Sequence, residues 1–399
     1  MPQETEPNLD TFTLGTPLGS VPTAPPAPRP DDTWTLPGGK AHVYYGQDNK
    51  QLRRPVIMAD GFNLGPSDLD WLYGGLQNGA YPFVSELRSQ GRDVILVGFE
   101  ERSASLLDNA RTVEAAIFEA IGRRIGDEPL VVGGFSMGGI ITRYTLAKLE
   151  TQRMDHQTRT YFSYDSPHRG AAIPIGLQAF SYFIPLPNDF RRQIESPAAR
   201  QMLWRHVDAY DGEPHEDPLR TEFLDALRRV GSWPRIPRLL AVANGRGDGV
   251  GLPDLRPGDI ALKLDRFYPG TTFYIQAQGN DVTVAELKRN LPPAQHTVKT
   301  SGFPELDGAP GGTLHSYKLL ADALEKLGTV VDLRHEDVCF VPAVSAVSIR
   351  DLDRQDDLYA KIDTLDPAES DVDEFLCSST TTAHTEITEE LGSWLVDRF

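Results

Sequence analysis

The pentapeptide Gly134-Phe135-Ser136-Met137-Gly138 is the part of the sequence best suited to chemistry. A G-x-S-x-G placed between a strand and a helix holds its serine in a sharp, strained turn with the hydroxyl exposed. Glycine on both sides lets neighbouring chain segments approach the turn closely. The helix that would follow directs unpaired N–H groups and its positive dipole end toward the serine. The pattern predicts that Ser136 is a nucleophile for acyl transfer.

A nucleophilic serine needs a general base, for which His384 is the best candidate. In chains with a G-x-S-x-G turn of this kind, the base comes after the last strand and before a terminal helix. His384 follows a run of serines and threonines, and the apolar residues after it recur every four positions, as in an amphipathic helix. We therefore expect His384 to accept the proton of Ser136.

Acyl transfer also requires two N–H donors for the oxyanion of the tetrahedral intermediate. The residue after the nucleophile, Met137, normally supplies one of them. We expect the second from Phe62, in the loop after an earlier strand, where Gly61 allows the backbone to turn.

The carboxylate that would orient His384 is less determined by the sequence. Asp248 follows a later strand and gives the chain order Ser, Asp, His, so it is the favoured acid. Asp165 is the rival, because it ends the strand that comes after the serine turn. A third possibility is one of a group of acidic residues further along the chain: Asp351, Asp353, Asp356 and Asp357.

The elements that must position these residues are short apolar runs separated by longer amphipathic segments. The runs cover residues 55–59, 94–97, 130–132, 160–164 and 239–242, after an apparent hairpin at 33–45. They are continuously apolar, as strands covered on both faces require. Such alternation of strand and helix predicts an α/β fold with a mostly parallel, doubly wound sheet, whose ligand site lies beyond the carboxyl ends of the strands.

The predicted organisation has three parts. Residues 1–32 are rich in proline and are expected to form an arm. Residues 33–169 and 236–399 are expected to form the α/β core. Residues 170–235 leave the strand pattern, and we expect a helical cap, or lid, whose aromatic residues near position 180 line an apolar pocket.

Composition narrows the classes of partner. The 57 acidic residues outnumber the 39 basic ones and give a net charge of −18, which repels nucleic acid and anionic lipid. The two cysteines, Cys339 and Cys377, are too few for a disulfide framework and have no zinc-ligand spacing around them. No apolar run is long enough to predict a membrane segment. We expect a cytoplasmic protein that needs no metal and no organic cofactor, and the sequence leaves the oligomeric state open.

Several segments resemble the lipase and esterase branch of the α/β-hydrolase superfamily. The similar segments are VIMADGFN, GGFSMGGIITRYTLAKLE, TRTYFSYDSPHRGAAIPIGLQ and the terminal His384 with its helix. The S-M-G-G and S-P-H-R-G-A pieces are similar to bacterial lipases and inositol-deacylase-like esterases. The chain departs from these lipases at Asp60-Gly61, where they usually have His-Gly. Some lipases place the acid directly after the strand that here ends at Asp165.

The resemblance implies cleavage of an ester or thioester of a hydrophobic acyl group, with Ser136 and His384 as catalytic residues and Phe62 and Met137 as oxyanion donors. The substrate would be a small or lipid-like acyl compound. Two alternatives remain open on the residues alone. One is an acyltransferase or cyclising thioesterase that uses the same acyl-serine, and the other is an inactive binding protein on the same fold.

Overall fold

The computed structural model describes residues 26–326 and 328–399. Its strands are β1 Asp32–Leu36, β2 Gly39–Tyr44, β3 Pro55–Ala59, β4 Asp93–Phe99, β5 Leu130–Phe135, β6 Thr158–Tyr164, β7 Arg238–Arg246, β8 Ile260–Leu264, β9 Thr272–Tyr274, β10 Val282–Asn290, β11 Pro293–Thr300, β12 Gly311–Leu314, β13 Val331–Leu333, β14 Val338–Pro342 and β15 Glu374–Ser378. Its helices are α1 Leu69–Gln77, α2 Phe83–Ser89, α3 Leu106–Arg123, α4 Met137–Thr151, α5 Ile175–Phe183, α6 Asp189–Glu195, α7 Pro197–Met202, α8 Pro218–Arg229, α9 Ser316–Lys326, α10 Ala343–Ala346, α11 Gln355–Leu358 and α12 Glu389–Val396. Short 3-10 helices cover Ile362–Thr364 and Pro367–Glu369.

The central sheet has eight strands in the order β1-β2-β4-β3-β5-β6-β7-β15. The first two form the predicted antiparallel hairpin, and β2 pairs antiparallel with β4. From β4 to β15 every neighbouring pair is parallel. The prediction of a mostly parallel sheet is therefore confirmed.

Helices cover both faces of this sheet. Along β3, Ile57 and Ala59 pack into one hydrophobic cluster and Val56 and Met58 into another. The first cluster contains α3 and α4, and the second contains α1, α2 and α12. Each fully buried aliphatic side chain stabilises the fold by about 1.5–3 kcal/mol. The sheet is thus doubly wound, as its continuously apolar strands predict.

The predicted cap segment, residues 170–235, contains the helices α5 to α8 between β6 and β7. Of the predicted N-terminal arm, residues 1–25 lie outside the described part of the chain, and β1 already begins at Asp32.

The assignment of all of residues 236–399 to the central core is wrong in one respect. A second, antiparallel sheet lies within that range, with strand order β11-β10-β9-β8-β13. It shares a hydrophobic cluster with α5, α6 and α9. Strand β11 alternates between exposed and covered residues along its length, as a strand with one solvated face does, and β10 alternates in this way over residues 285–288. Such strands contain no continuously apolar run, so that pattern does not predict them.

Among the described helices, none combines the length and the apolar character that crossing a membrane requires.

Candidate active site

Ser136 lies at the junction of β5 and α4, in the centre of the sheet. Its backbone has φ 52° and ψ −121°, a region that residues other than glycine rarely adopt. A Cβ atom at Gly138 would lie 2.2 Å from the carbonyl oxygen of Ala59, and one at Gly134 would lie 2.5 Å from the carbonyl carbon of Gly138. The two glycines therefore permit the turn that the pentapeptide predicts.

The His384 ring lies between the serine and a carboxylate. Its Nε2 atom is 2.8 Å from Ser136 Oγ, and its Nδ1 atom is 2.7 Å from Asp165 Oδ2. A carboxylate accepts a hydrogen bond, so Nδ1–H donates to Asp165 and Nε2 keeps a lone pair. Ser136 Oγ–H then donates to that lone pair. The arrangement matches the geometry of a nucleophile, its base and an orienting acid.

The favoured acid, Asp248, does not occupy this position, and that prediction is corrected by the geometry. β7 extends to Arg246, past its predicted end at residue 242, so Asp248 lies beyond the strand in a partly exposed loop. Its carboxylate pairs with Arg246 and accepts the N–H of Val250 at 3.0 Å. The hydrogen bond to Arg246 lowers the pKa of Asp248. The described contacts of His384 also include none of the other aspartates considered, Asp351, Asp353, Asp356 and Asp357.

Asp165 is held at the end of β6 by backbone contacts. It is fully buried, and its φ of 48° lies in the left-handed region. Its own N–H donates to Val242 O at 2.8 Å, and its Oδ1 accepts the N–H of Asn244 at 2.9 Å. A Cβ atom at Gly312 would lie 2.0 Å from Asp165 Oδ2. The carboxylate therefore lies in a close-fitting site between β7 and β12.

Asn244 is a structural residue of the site that the sequence did not single out. Its side chain is fully buried at the end of β7. Its amide nitrogen donates to Thr382 Oγ1 at 2.7 Å and to Glu386 O at 2.9 Å, and its Oδ1 accepts Thr385 N–H at 2.9 Å. One asparagine thereby ties the loop that carries His384 to the strand beside Asp165. The only sequence signal is its place at the end of an apolar run.

The loop after β3 lies against the serine on the other side. A Cβ atom at Gly61 would be 3.6 Å from Ser136 Cβ. Asp60 Oδ1 accepts the N–H of Gly61 at 2.8 Å. Burial raises the pKa of Asp60, although Arg102 lies 3.9 Å away. Asp60 occupies the position where similar lipases have histidine. Its side chain therefore holds the backbone of this loop through a hydrogen bond.

The two expected oxyanion donors have free N–H groups. In the described part of the chain, neither Phe62 N nor Met137 N has a hydrogen-bond acceptor. Met137 is the first residue of α4, where N–H groups have no partner within the helix. A helix N-terminus of this kind favours negative charge nearby.

Aromatic side chains border the site. The ring of Phe340 lies 4.8 Å from the ring of His384, edge to face. Phe62 and Phe340 both pack against the cluster that contains α3 and α4 and against the cluster of the second sheet. Phe180, expected to line the pocket, is instead fully buried against Tyr268 and Phe273, in the cluster that the second sheet shares with α5. The apolar surroundings of Ser136 thus include Phe62 and Phe340, which lie where the cluster of α3 and α4 meets the cluster of the second sheet.

No protein-family profile matches the chain. No curated protein matches it either. Solved structures that are similar to the chain include esterases and lipases. An esterase/lipase from an uncultured bacterium has 12% identity and a TM-score of 0.28, over 35% of this chain and 44% of that one. The mature lipase BlEst2 of Bacillus licheniformis has 14% identity and a TM-score of 0.30, over 55% and 74%. An esterase of Pyrobaculum calidifontis has 15% identity and a TM-score of 0.34, over 53% and 65%.

The chain therefore spans less than half of the first of these proteins and about two thirds of the third. TM-scores this low do not assign a role to any residue. The roles considered below are argued from the hydrogen bonds described above.

Proposed function

We propose that the chain is a serine hydrolase of the α/β-hydrolase type, with Ser136 as nucleophile, His384 as base and Asp165 as the orienting acid. The observation that carries the proposal is the unbroken pair of hydrogen bonds, 2.8 Å and 2.7 Å long, that joins the strained serine to the buried carboxylate through the imidazole. Residues far apart in the sequence meet there in the order that acyl transfer needs.

In the proposed mechanism, Ser136 Oγ attacks the carbonyl carbon of an ester or thioester while His384 Nε2 takes the hydroxyl proton. The N–H groups of Met137 and Phe62 hold the oxyanion. The bond to the leaving group then breaks, and His384 returns its proton to the departing alcohol or thiol. A water molecule releases the acyl group from Ser136 by the same steps, which regenerates the free serine.

The proposed substrate carries a hydrophobic acyl group. Phe62 and Phe340 beside the catalytic residues support this, because an apolar chain gains about 0.8 kcal/mol for each methylene group removed from water. Acyl chain length and leaving group would be read from a series of p-nitrophenyl esters and acyl thioesters.

We further propose that the segment 170–235 acts as a cap together with the second sheet. Support comes from two contacts. The N–H of Ala172, at the start of the segment, donates to Phe340 O at 2.8 Å, beside the His384 ring. Helix α5 shares its hydrophobic cluster with the second sheet. Movement of α5 would therefore involve the second sheet.

The test is labelling by a fluorophosphonate and turnover of p-nitrophenyl butyrate. The wild type should react with both, and Ser136→Ala should lose both. Ser89→Ala, at the exposed end of α2, removes a hydroxyl whose hydrogen bond within residues 26–326 and 328–399 is to Glu86 O, and it should behave as wild type. Labelling that persists in Ser136→Ala would refute the nucleophile. Acyl transfer to an added alcohol in preference to water would assign the chain to the acyltransferases.

A further inference from the structure

Two histidines and an aspartate come together between α7 and α8, and their described hydrogen bonds and ion pairs involve none of the proposed catalytic residues. One ligand atom from each of His206, His215 and Asp217 lies within 4.8 Å of the other two. The backbones of His206 and His215 form a pair of hydrogen bonds, 2.9 Å and 3.0 Å long, that sets the two residues opposite each other. His206 and Asp217 are each 1% exposed. The cluster is thus built into the fold.

Each histidine uses one ring nitrogen to contact a backbone carbonyl. His206 Nε2 is 3.2 Å from Ile194 O, and His215 Nδ1 is 3.1 Å from Glu213 O. A carbonyl oxygen only accepts, so both of these nitrogens carry the proton. In a neutral imidazole the other nitrogen then has a lone pair. Histidines that bind metals are oriented in this way, with the second nitrogen donating to a carbonyl or carboxylate.

The lone pair of His206 faces another acceptor. Its Nδ1 atom is 3.3 Å from Asp217 Oδ2, and among the described residues this buried nitrogen has no hydrogen-bond partner. Two acceptors in contact repel each other. A cation held between them removes that repulsion.

The carboxylate of Asp217 is already oriented for such a role. Its Oδ1 accepts the N–H of Leu219 at the start of α8, at 2.8 Å. Its Oδ2 accepts Arg200 Nε, also at 2.8 Å. Metal-binding carboxylates are commonly held by hydrogen bonds of this kind. The side chain of Arg200 is 35% exposed, so its guanidinium can move outward as a cation enters.

We propose that His206, His215 and Asp217 bind one Zn²⁺ ion, with water as the fourth ligand. Two imidazole nitrogens and one carboxylate oxygen form a donor set that zinc prefers in tetrahedral geometry. The ion holds the connection between α7 and α8 in place. Because this connection belongs to the proposed cap, zinc stabilises the cap and leaves the acyl-transfer chemistry to Ser136.

A second group of potential ligands, His315, Glu336 and Asp337, lacks these features. His315 Nδ1 and Asp337 form a direct ion pair, and both side chains are more than one third exposed. The hydrogen bond to Asp337 raises the pKa of His315. The pair is open to solvent, unlike the buried His206 and Asp217. It therefore provides a matched control from the same chain.

The experiment is zinc titration by calorimetry of the tag-free, EDTA-dialysed protein, with bound zinc measured by elemental analysis. The wild type should bind one equivalent of zinc. His215→Gln changes the least buried ligand and should weaken binding by more than the roughly 10–100-fold that loss of an outer-shell partner costs. His315→Gln should bind as the wild type does. Zinc should raise the unfolding temperature of the wild type and of His315→Gln but not that of His215→Gln.

Cobalt provides a second readout in case a variant is unstable. Co²⁺ in place of zinc should give the intense visible absorption of a tetrahedral site in the wild type, and His215→Gln should lose it. The proposal is overturned if the wild type binds no zinc, if His215→Gln binds as tightly as the wild type, or if binding is lost in His315→Gln instead.

Discussion

Asp165 has no contact with solvent, and its carboxylate accepts hydrogen bonds from the His384 ring and from the N–H of Asn244. Burial of a charge costs several kcal/mol unless protein donors replace the lost water. The two donors therefore replace solvent for this carboxylate, whereas the partly exposed Asp248 has Arg246 and the N–H of Val250 as partners. The carboxylate in return holds the proton of His384 on Nδ1, which leaves Nε2 free to face Ser136.

Replacement of Asp165 by asparagine should separate the two candidate acids. An amide at this position can present a donor to the ring and favours the wrong tautomer, so kcat for ester hydrolysis should fall by about 10⁴-fold in Asp165→Asn. Asp248→Asn removes only a partly exposed ion pair with Arg246 and should change kcat by less than about twofold. Steady-state kinetics of the two variants provides the comparison. Equal losses, or a larger loss in Asp248→Asn, would refute the assignment of Asp165.

At the scale of elements, the short strand β12 supports both the acid and the base. The N–H of His384 donates to Thr313 O at 2.8 Å, and Gly312 lies directly against Asp165. β12 in turn pairs with β14, which carries Phe340. A four-residue strand thereby fixes the distance between the carboxylate and the imidazole.

Gly312→Ala should therefore displace Asp165 while leaving the fold in place. The added methyl carbon would lie 2.0 Å from Asp165 Oδ2, so the carboxylate or the strand must move. A misplacement of about 1 Å can cost about 100-fold in rate, and we expect a loss of that order in kcat/KM. Gly122→Ala in α3 is the control, because among the described residues the added carbon meets nothing within 4 Å beyond its chain neighbours and the backbone of its own helix. It should retain activity and gain up to about 1 kcal/mol of stability. Full activity in Gly312→Ala, with circular dichroism unchanged, would contradict the proposed support.

The local parts of the site could be predicted from the sequence, and the parts set by distant contacts could not. The strand, turn and helix around Ser136 are adjacent in the chain and have their own residue signature. His384 could be predicted because a polar run and an amphipathic pattern surround it. The choice between Asp165 and Asp248 depends on where β7 ends and on how β12 packs. Neither feature can be predicted from the residues next to the two aspartates. The second sheet was not predicted for a related reason. Its longer strands, β10 and β11, contain many polar residues and no continuously apolar run, so their sequences resemble those of polar loops.

At the scale of the whole molecule, Asp307 lies where the second sheet meets the central fold. It is fully buried and accepts the N–H of Gln276, just after β9, while its carbonyl accepts the N–H of Cys339 in β14. No cation pairs with it among the described residues. Burial raises its pKa from 3.8 to about 6. Nearby Tyr317, Tyr359 and Cys339 have raised pKa values as well, since burial disfavours their charged forms.

The raised pKa of Asp307 makes folding stability depend on pH. The folded state binds this proton more tightly than the unfolded state, so stability falls as pH rises from about 4 to about 6 and stays lower above that range. Between pH 4 and pH 8 the loss should be about 2 kcal/mol. Asp307→Asn cannot ionise and should lack this loss. Urea unfolding of both proteins at the two pH values measures it. Parallel pH dependence in the two proteins would refute the prediction.

The separation of the proposed catalytic residues along the chain has a consequence for biosynthesis. His384 follows Asp165 by 219 residues and Ser136 by 248 residues. At about 5–20 residues per second, roughly 10–45 s of translation pass between synthesis of the acid and synthesis of the base. A nascent chain can form the β5–α4 turn in that interval but has no imidazole to accept the serine proton. Synthesis of His384 therefore sets the earliest point in translation at which the proposed acyl transfer can begin.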